Sequence, residues 1–124
     1  MDYPYKTYLY NIGFEPKIAN GVYINGFIDC SAQVTVEENV FCGHDVLILT
    51  GSHDYSKKGK ARIASIITKP VTIKEGAWIA SRVTILPGVI IGKNSVVGAG
   101  SVVTKDVPDN ELWAGNPIKF IKKI

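Results

Sequence analysis

The chain has 124 residues, 46% of them hydrophobic, and a formal net charge of +3. That length fits one domain. No apolar run approaches a membrane span, and so mild a positive balance, without a stripe of interleaved basic and aromatic residues, argues against nucleic acid as the partner. The start, MDYPYKTYLYNIG, lacks the basic lead and apolar centre of a secretory signal, so a soluble cytoplasmic protein is expected. Ile and Val far outnumber Leu and no long stripe of period 3.6 is present, which favours strands over helices.

In chain order, residues 1–19 form an aromatic lead-in with Tyr3, Tyr5, Tyr8, Tyr10 and Phe14, expected to cap the open end of a repeat stack. Residues 20–49 repeat with a period of six: Ile24, Cys30, Val36, Cys42 and Ile48, each preceded two positions earlier by Val22, Ile28, Val34, Val40 and Val46. Residues 50–70, TGSHDYSKKGKARIASIITKP, are polar, basic and unperiodic, and read as a protruding loop. Residues 71–104 resume the period with Ile73, Ile79, Ile85, Ile91, Val97 and Val103, preceded by Val71, Ala77, Val83, Val89, Ser95 and Ser101. Residues 105–124 open with turn signals and close on Ile118, Ile121 and Ile124, spaced as one face of a short helix or lying on a strand.

A period of six suits neither an isolated helix nor an isolated strand. It says that every hexad takes the same path and turns the same position inward. Three positions past most inward residues stands a turn-type residue, Gly76, Gly88, Asn94 or Gly100, with Arg82 as the exception. Each hexad is therefore a short strand and a corner. Three hexads make a coil, and stacked coils pair as parallel strands about 4.8 Å apart. Ile73 should lie on Ile91, Ile79 on Val97 and Ile85 on Val103. At about 1.5–3 kcal/mol per fully buried Ile or Val, these ladders should be a main source of stability. From Ile48 to Ile73 the chain runs 25 positions, one more than four hexads, so the phase breaks and the segment between is an insertion. Cys30 and Cys42 both fall on inward positions, without CxxC spacing or a histidine partner set. They are expected to be small buried hydrophobes rather than a disulfide or a metal site.

The segments WIASRVTILPGVIIG and IGKNSVVGAGSVVTKDVPDNELWAGNPIKFI resemble the C-terminal half of hexapeptide-repeat acyltransferases, in the branch of galactoside, maltose and polysaccharide O-acetyltransferases. The resemblance runs from about Ile24 to the C-terminus. It implies an all-β fold, a left-handed parallel β-helix of triangular section, whose hand departs from the usual right-handed crossover. It also implies homotrimers with active sites between subunits, and transfer of an acetyl group from acetyl-CoA to a hydroxyl or amine. Where the sugar enzymes carry a helical segment ahead of the coils, this chain has the tyrosine-rich lead-in, which leaves the acceptor less determined than the reaction.

By the same resemblance, His53 in TGSHD matches the catalytic histidine of the family. Acetyl transfer needs a base of near-neutral pKa that takes the proton as the acceptor attacks the thioester, and histidine is suited to that. His44 in FCGHD is the rival, read as an outward polar residue near the site. Trp78 should point outward and wall the cleft or the interface. Asn25, and with it Asp29, are candidate acceptor contacts. The positions matching Ser81, Ala99 and Thr104 contact coenzyme A in the family, and Gly98 is a small neighbour suited to the same groove. Lys105 and Lys119 stand where basic residues meet its phosphate end. The loop cations Lys57, Lys58, Lys60 and Arg62 would steer an anion or simply face solvent. The expected function is O-acetylation of a sugar or polysaccharide precursor. N-acetylation of an amino sugar or sugar nucleotide is one alternative and an inactive β-helix scaffold the other. The γ-type carbonic anhydrases share the fold, but their zinc takes three histidines and this chain has two.

Overall fold

The fold was obtained as a computed structural model describing residues 7–11 and 13–124, so Tyr3 and Tyr5 of the lead-in lie outside the described residues. The chain winds as a parallel β-solenoid with three faces. A first coil carries β1 (Thr7–Tyr10) and β2 (Lys17–Ile18). A second carries β3 (Gly26–Asp29), β4 (Val34–Val36) and β5 (Phe41–Cys42). The third begins with β6 (Val46–Ile48), leaves the solenoid through β7 (Gly51–His53), α1 (Gly59–Ala64) and β8 (Ile66–Thr68), and returns as β9 (Val71–Ile73) and β10 (Trp78–Ile79). The fourth holds β11 (Thr84–Ile85), β12 (Ile90–Ile91) and β13 (Val96–Val97). The fifth holds β14 (Val102–Val103) and β15 (Glu111–Ala114), and β16 (Lys119–Lys123) closes the chain. Face I stacks β1-β3-β6-β11-β14, face II stacks β2-β4-β9-β12, and face III stacks β5-β10-β13-β15-β16.

The expected register holds: Ile73 pairs with Ile91, Ile79 with Val97 and Ile85 with Val103, all in parallel. All six are fully buried, as are Ile28, Val34 and Ile48 of the earlier block. Because strand side chains alternate across the sheet, the residue before each rung points outward. The corners are left-handed, at Gly21, Asn39, Asp45, Gly76, Arg82, Gly88, Asn94 and Gly100. Arg82 departs from the pattern in residue type and not in geometry. Its φ of 58° matches Asn94 at 55°, a conformation that costs a residue with a Cβ about 1–2 kcal/mol.

The insertion does not disturb the stack. Val36 pairs with Ile73, Cys42 with Ile79 and Ile48 with Ile85, so the 25-residue interval takes the place of a single six-residue step. The segment is itself ordered. Strands β7 and β8 form an antiparallel hairpin from Gly51↔Thr68 to His53↔Ile66, with α1 at its tip. It carries no hydrophobic period because its apolar side chains stay exposed, Tyr55, Ile63, Ile66 and Ile67 among them, and α1 has no buried residue. We call it the arm.

At its two ends the structure goes further than the expectation. The lead-in is wound as a further coil from Thr7 onward, since β1 pairs in parallel with β3 and β2 with β4. Backbone pairing builds it, with Ile18 and Ala19 alone among its described side chains packing on the core. At the other end, where Ile118, Ile121 and Ile124 left a short helix or a strand open, the chain forms a strand. Strand β15 continues face III in parallel below β13, and β16 folds back on it antiparallel. Ile118 is buried, whereas Ile121 and Ile124 are more than half exposed. Trp113 packs against the last rungs with Phe120 edge-on at 6.0 Å, closing the C-terminal end of the core.

Candidate active site

The sequence-identified residues fall on two edges of the prism, separated by face I. The edge where face III passes into face I carries Asn25, Gly43, His44, Ser81 and Ala99, one coil after another. The edge where face I passes into face II carries the arm with His53, then Thr104 and Lys105.

On the first edge the backbone N–H of His44 donates to Ser81 Oγ at 3.0 Å, and the Ser81 carbonyl accepts from the Gly100 N–H at 2.9 Å. Gly43 is required there, because a Cβ would run into the Ser81 hydroxyl. The Asn25 amide nitrogen lies 3.2 Å from His44 Nδ1. An amide N–H donates, so that ring nitrogen accepts, and the neutral imidazole keeps its proton on Nε2. His44 therefore presents a donor to solvent. Beside this edge, on face III, Trp78 stands outward at 44% exposure and stacks on Phe41 at 5.7 Å and 11°. The backbone of Phe41 in turn bridges in parallel to that of Tyr23, so three aromatic residues, Tyr23, Phe41 and Trp78, succeed one another outward along face III. This succession was not read from the sequence, although Tyr23 and Phe41 each stand one residue before an inward rung, as Trp78 does.

On the second edge His53 is exposed, and its Nδ1 lies 2.9 Å from the Arg62 carbonyl oxygen of α1. A carbonyl can only accept, so Nδ1 carries the proton and Nε2 is left with a bare lone pair. The two histidines are thus held in opposite tautomers. Asp54 does not take part: its carboxylate accepts the Ser56 N–H at 3.0 Å and hydroxyl at 2.6 Å, which hold it below the usual carboxylate range. Arg62 does not act as a free cation either. Its guanidinium donates to the Lys57 and Tyr55 carbonyls at 2.6 and 3.0 Å and knits the arm together.

Asp29, considered as an acceptor contact, is 7% exposed and turns its carboxylate into the fold, toward Ser31 and the root of the arm. Desolvation pushes its pKa up, but the hydrogen bonds from Ser31, Gly51 and Thr50 outweigh that and leave it lowered. Gly98 has a packing reason for its size, since a Cβ there would meet the Ala114 methyl at 2.8 Å. Ala99 and Thr104 are exposed. Lys105 lies over the Trp113 ring, its Nζ 5.3 Å from the centroid, at the C-terminal end of the prism, and Lys119 is exposed in β16 opposite Ala114. Both cysteines are free and buried: burial pushes the Cys42 thiol up to about 12, and burial followed by the Asp29 charge raises that of Cys30. A hollow of about 480 Å³ lies elsewhere, over face II and its border with face III, between Lys17, Thr35, Glu37 and Glu75. Among the described residues no helix is long and apolar enough to cross a membrane.

Residues 70–105 match the family described as "Bacterial transferase hexapeptide (six repeats)". The chain is 42% identical over 107 residues to a galactoside O-acetyltransferase of Lactococcus lactis, an alignment covering 84% of this chain and 51% of that protein. Its fold is similar to a maltose O-acetyltransferase from Clostridium difficile, with a TM-score of 0.87 at 34% identity, over 96% of this chain and 64% of the other. A hexapeptide-repeat-containing acetyltransferase from Vibrio cholerae, complexed with acetyl coenzyme A, superposes with a TM-score of 0.85 at 30% identity, covering 96% of this chain and 68% of that one. The chain spans about half the length of the curated relatives it matches.

Proposed function

We propose a reaction for this chain, which belongs to the hexapeptide-repeat acetyltransferases with their left-handed β-helix fold: it moves the acetyl group of acetyl-CoA to a hydroxyl of a sugar or polysaccharide precursor, with His53 as general base. The observation that carries this is the His53 ring itself, whose Nδ1 faces a carbonyl and whose Nε2 is free to take a proton. The acceptor oxygen attacks the thioester carbonyl carbon while its proton passes to Nε2. The C–S bond then breaks, and the imidazolium returns the proton to the departing thiolate. His44, with its proton on Nε2, serves as a hydrogen-bond donor toward the acceptor and not as a base.

The coenzyme would lie along the edge of Ser81 and Ala99. The small side chains there admit a pantetheine arm against the backbone, and Lys119, with Thr104 and Lys105 on the arm's edge of the neighbouring copy, would approach its phosphates. Because His53 and the edge of Asn25, His44 and Ser81 are a face apart, the complete site takes the arm of one copy and the edge of a neighbour, in a closed homotrimer. Trp78 then walls a cleft between subunits. The chemistry uses no metal, and the protein works in the cytoplasm.

Acetyl-CoA turnover on a panel of sugars, amino sugars and sugar nucleotides tests the reaction. His53→Ala should lose about 10²–10⁴ in kcat, whereas His44→Ala should chiefly raise the acceptor KM; the reverse result would reassign the base. Refolding a mixture of His53→Ala and Ser81→Trp chains should restore part of the activity, since one shared site in such a mixture is intact. No restoration in mixed oligomers would place the whole site in one chain. Turnover on amino sugars alone would favour N-acetylation.

A further inference from the structure

We propose that Asp29 is a positioning residue for acetyl transfer: its buried carboxylate clamps the root of the arm and so sets the place of His53, on whose role as general base this inference rests. Asp29 is the last residue of β3, at the edge where the arm leaves one coil later. Among the described residues it is the one carboxylate in the buried set, which otherwise holds apolar side chains, Thr50, Ser95 and Ser101. Removing a carboxylate from water is costly unless hydrogen bonds replace the lost hydration. Here four donors do so. Oδ2 accepts the backbone N–H of Gly51 at 2.9 Å and of Thr50 at 3.4 Å. Oδ1 accepts the N–H of Ser31 at 3.0 Å and its hydroxyl at 2.6 Å. Only an acceptor with two oxygens and no proton can take all four.

The lock is reciprocal. Thr50 is fully buried, its hydroxyl donates to the Asp29 carbonyl at 2.7 Å and accepts the Ala32 N–H at 3.0 Å, and its carbonyl receives the Lys69 N–H at 2.9 Å from the returning limb. Both limbs of the arm are thereby tied at Thr50, and Thr50 is tied to Asp29. Gly51 opens β7, and His53 comes two residues later on the same strand face. At about 3.3 Å per extended residue, a rotation at the Gly51 amide carries the imidazole with it. The Arg62 carbonyl fixes the ring from the arm's own tip, but nothing in that contact ties the arm to the prism. Asp29 supplies the tie. Its carboxylate touches no reacting atom and acts through the strand.

The test is Asp29→Asn, which keeps the shape but turns an N–H₂ toward backbone N–H groups. The expected result is a fall of about 10–100-fold in kcat, with the coenzyme A dissociation constant within about twofold of wild type by calorimetry. Amide hydrogen exchange should quicken at Gly51, Ser52 and His53 while β11 and β12 keep wild-type protection. In a His53→Ala background the same substitution should cost nothing further. Wild-type kcat in Asp29→Asn beside an inactive His53→Ala overturns the clamp alone. An equal loss in both backgrounds, or exchange quickened throughout the prism, also overturns it, because the effect would then not pass through His53. Full activity in His53→Ala overturns the base assignment and this inference with it. If Asp29→Asn does not fold, Asp29→Glu, which keeps the charge and shifts the oxygens by one methylene, is held to the same criteria.

Discussion

The prism and the arm are built on different terms. The prism holds itself together through inward rungs such as Ile73, Ile85 and Ile91, buried completely and repeated at each coil. The arm buries nothing in α1. Its order comes from the β7–β8 pairing, from Arg62 on the Lys57 and Tyr55 carbonyls, and from the tie at Asp29 and Thr50. The apolar core and the exposed hairpin are thus separated along the chain. A rigid stack tolerates an excursion of this length because the stack closes beneath it, with Ile48 and Ile85 still in register. The excursion carries an imidazole off the coil on a two-stranded hairpin.

The sharpest way to break this picture is through a rung. Ile91→Asp places an unpaired charge among fully buried side chains and should leave the protein unfolded or insoluble, read by circular dichroism and sedimentation. A soluble variant with native-like melting would deny that the ladders hold the fold. Next in size is the arm. Replacing Ser52–Ile67 with a short Gly-Ser turn should abolish acetyl transfer yet keep one cooperative melt within a few degrees of wild type, since Thr50 and Lys69 stay in place. Collapse of the fold on that change would make the arm part of the core.

Smaller is the effect of acid. The Asp29 pKa is depressed below its ordinary 3.8, so what its ionisation contributes is fully present above that value and is lost as pH falls through the folded-state value. Arm amides should keep their protection from pH 7 to about 4 and lose it in more acidic solution before the prism melts, a sequence that hydrogen exchange can track. Smallest is Arg82→Asn. It relieves a left-handed arginine and gives up only a 3.9 Å contact with Asp45 between two exposed side chains. A gain of up to about 1 kcal/mol is expected by chemical denaturation, and a clear loss would show that Arg82 is held for its partners.

How much could be read in advance varies by region and for a physical reason in each. The coils were legible because burial repeats: a residue facing the core every sixth position leaves a periodic trace in Ile and Val. The first coil left little trace, because β1 is joined by backbone hydrogen bonds with mostly exposed side chains. The C-terminal isoleucines left helix and strand open, because a spacing of three is compatible with a helical face, and only the pairing of β16 with β15 decided for the strand. His53 was identified through the family's Thr-Gly-containing segment. Its tautomer, and that of His44, was not, because tautomers are set by partners distant in sequence or across a turn.

By itself, then, the sequence determined the repeat, the inward rungs, their stacking register and the point at which the period fails, because these arise from local hydrophobic order. Tertiary structure alone decided that Asp29 faces inward and accepts the Thr50 and Gly51 amides, that Asn25 meets His44, that Tyr23 and Phe41 extend the outward line of Trp78, and that His53 stands a full face away from Ser81. Those depend on which residues the winding brings together one coil apart, and contacts of that kind leave no period in the chain.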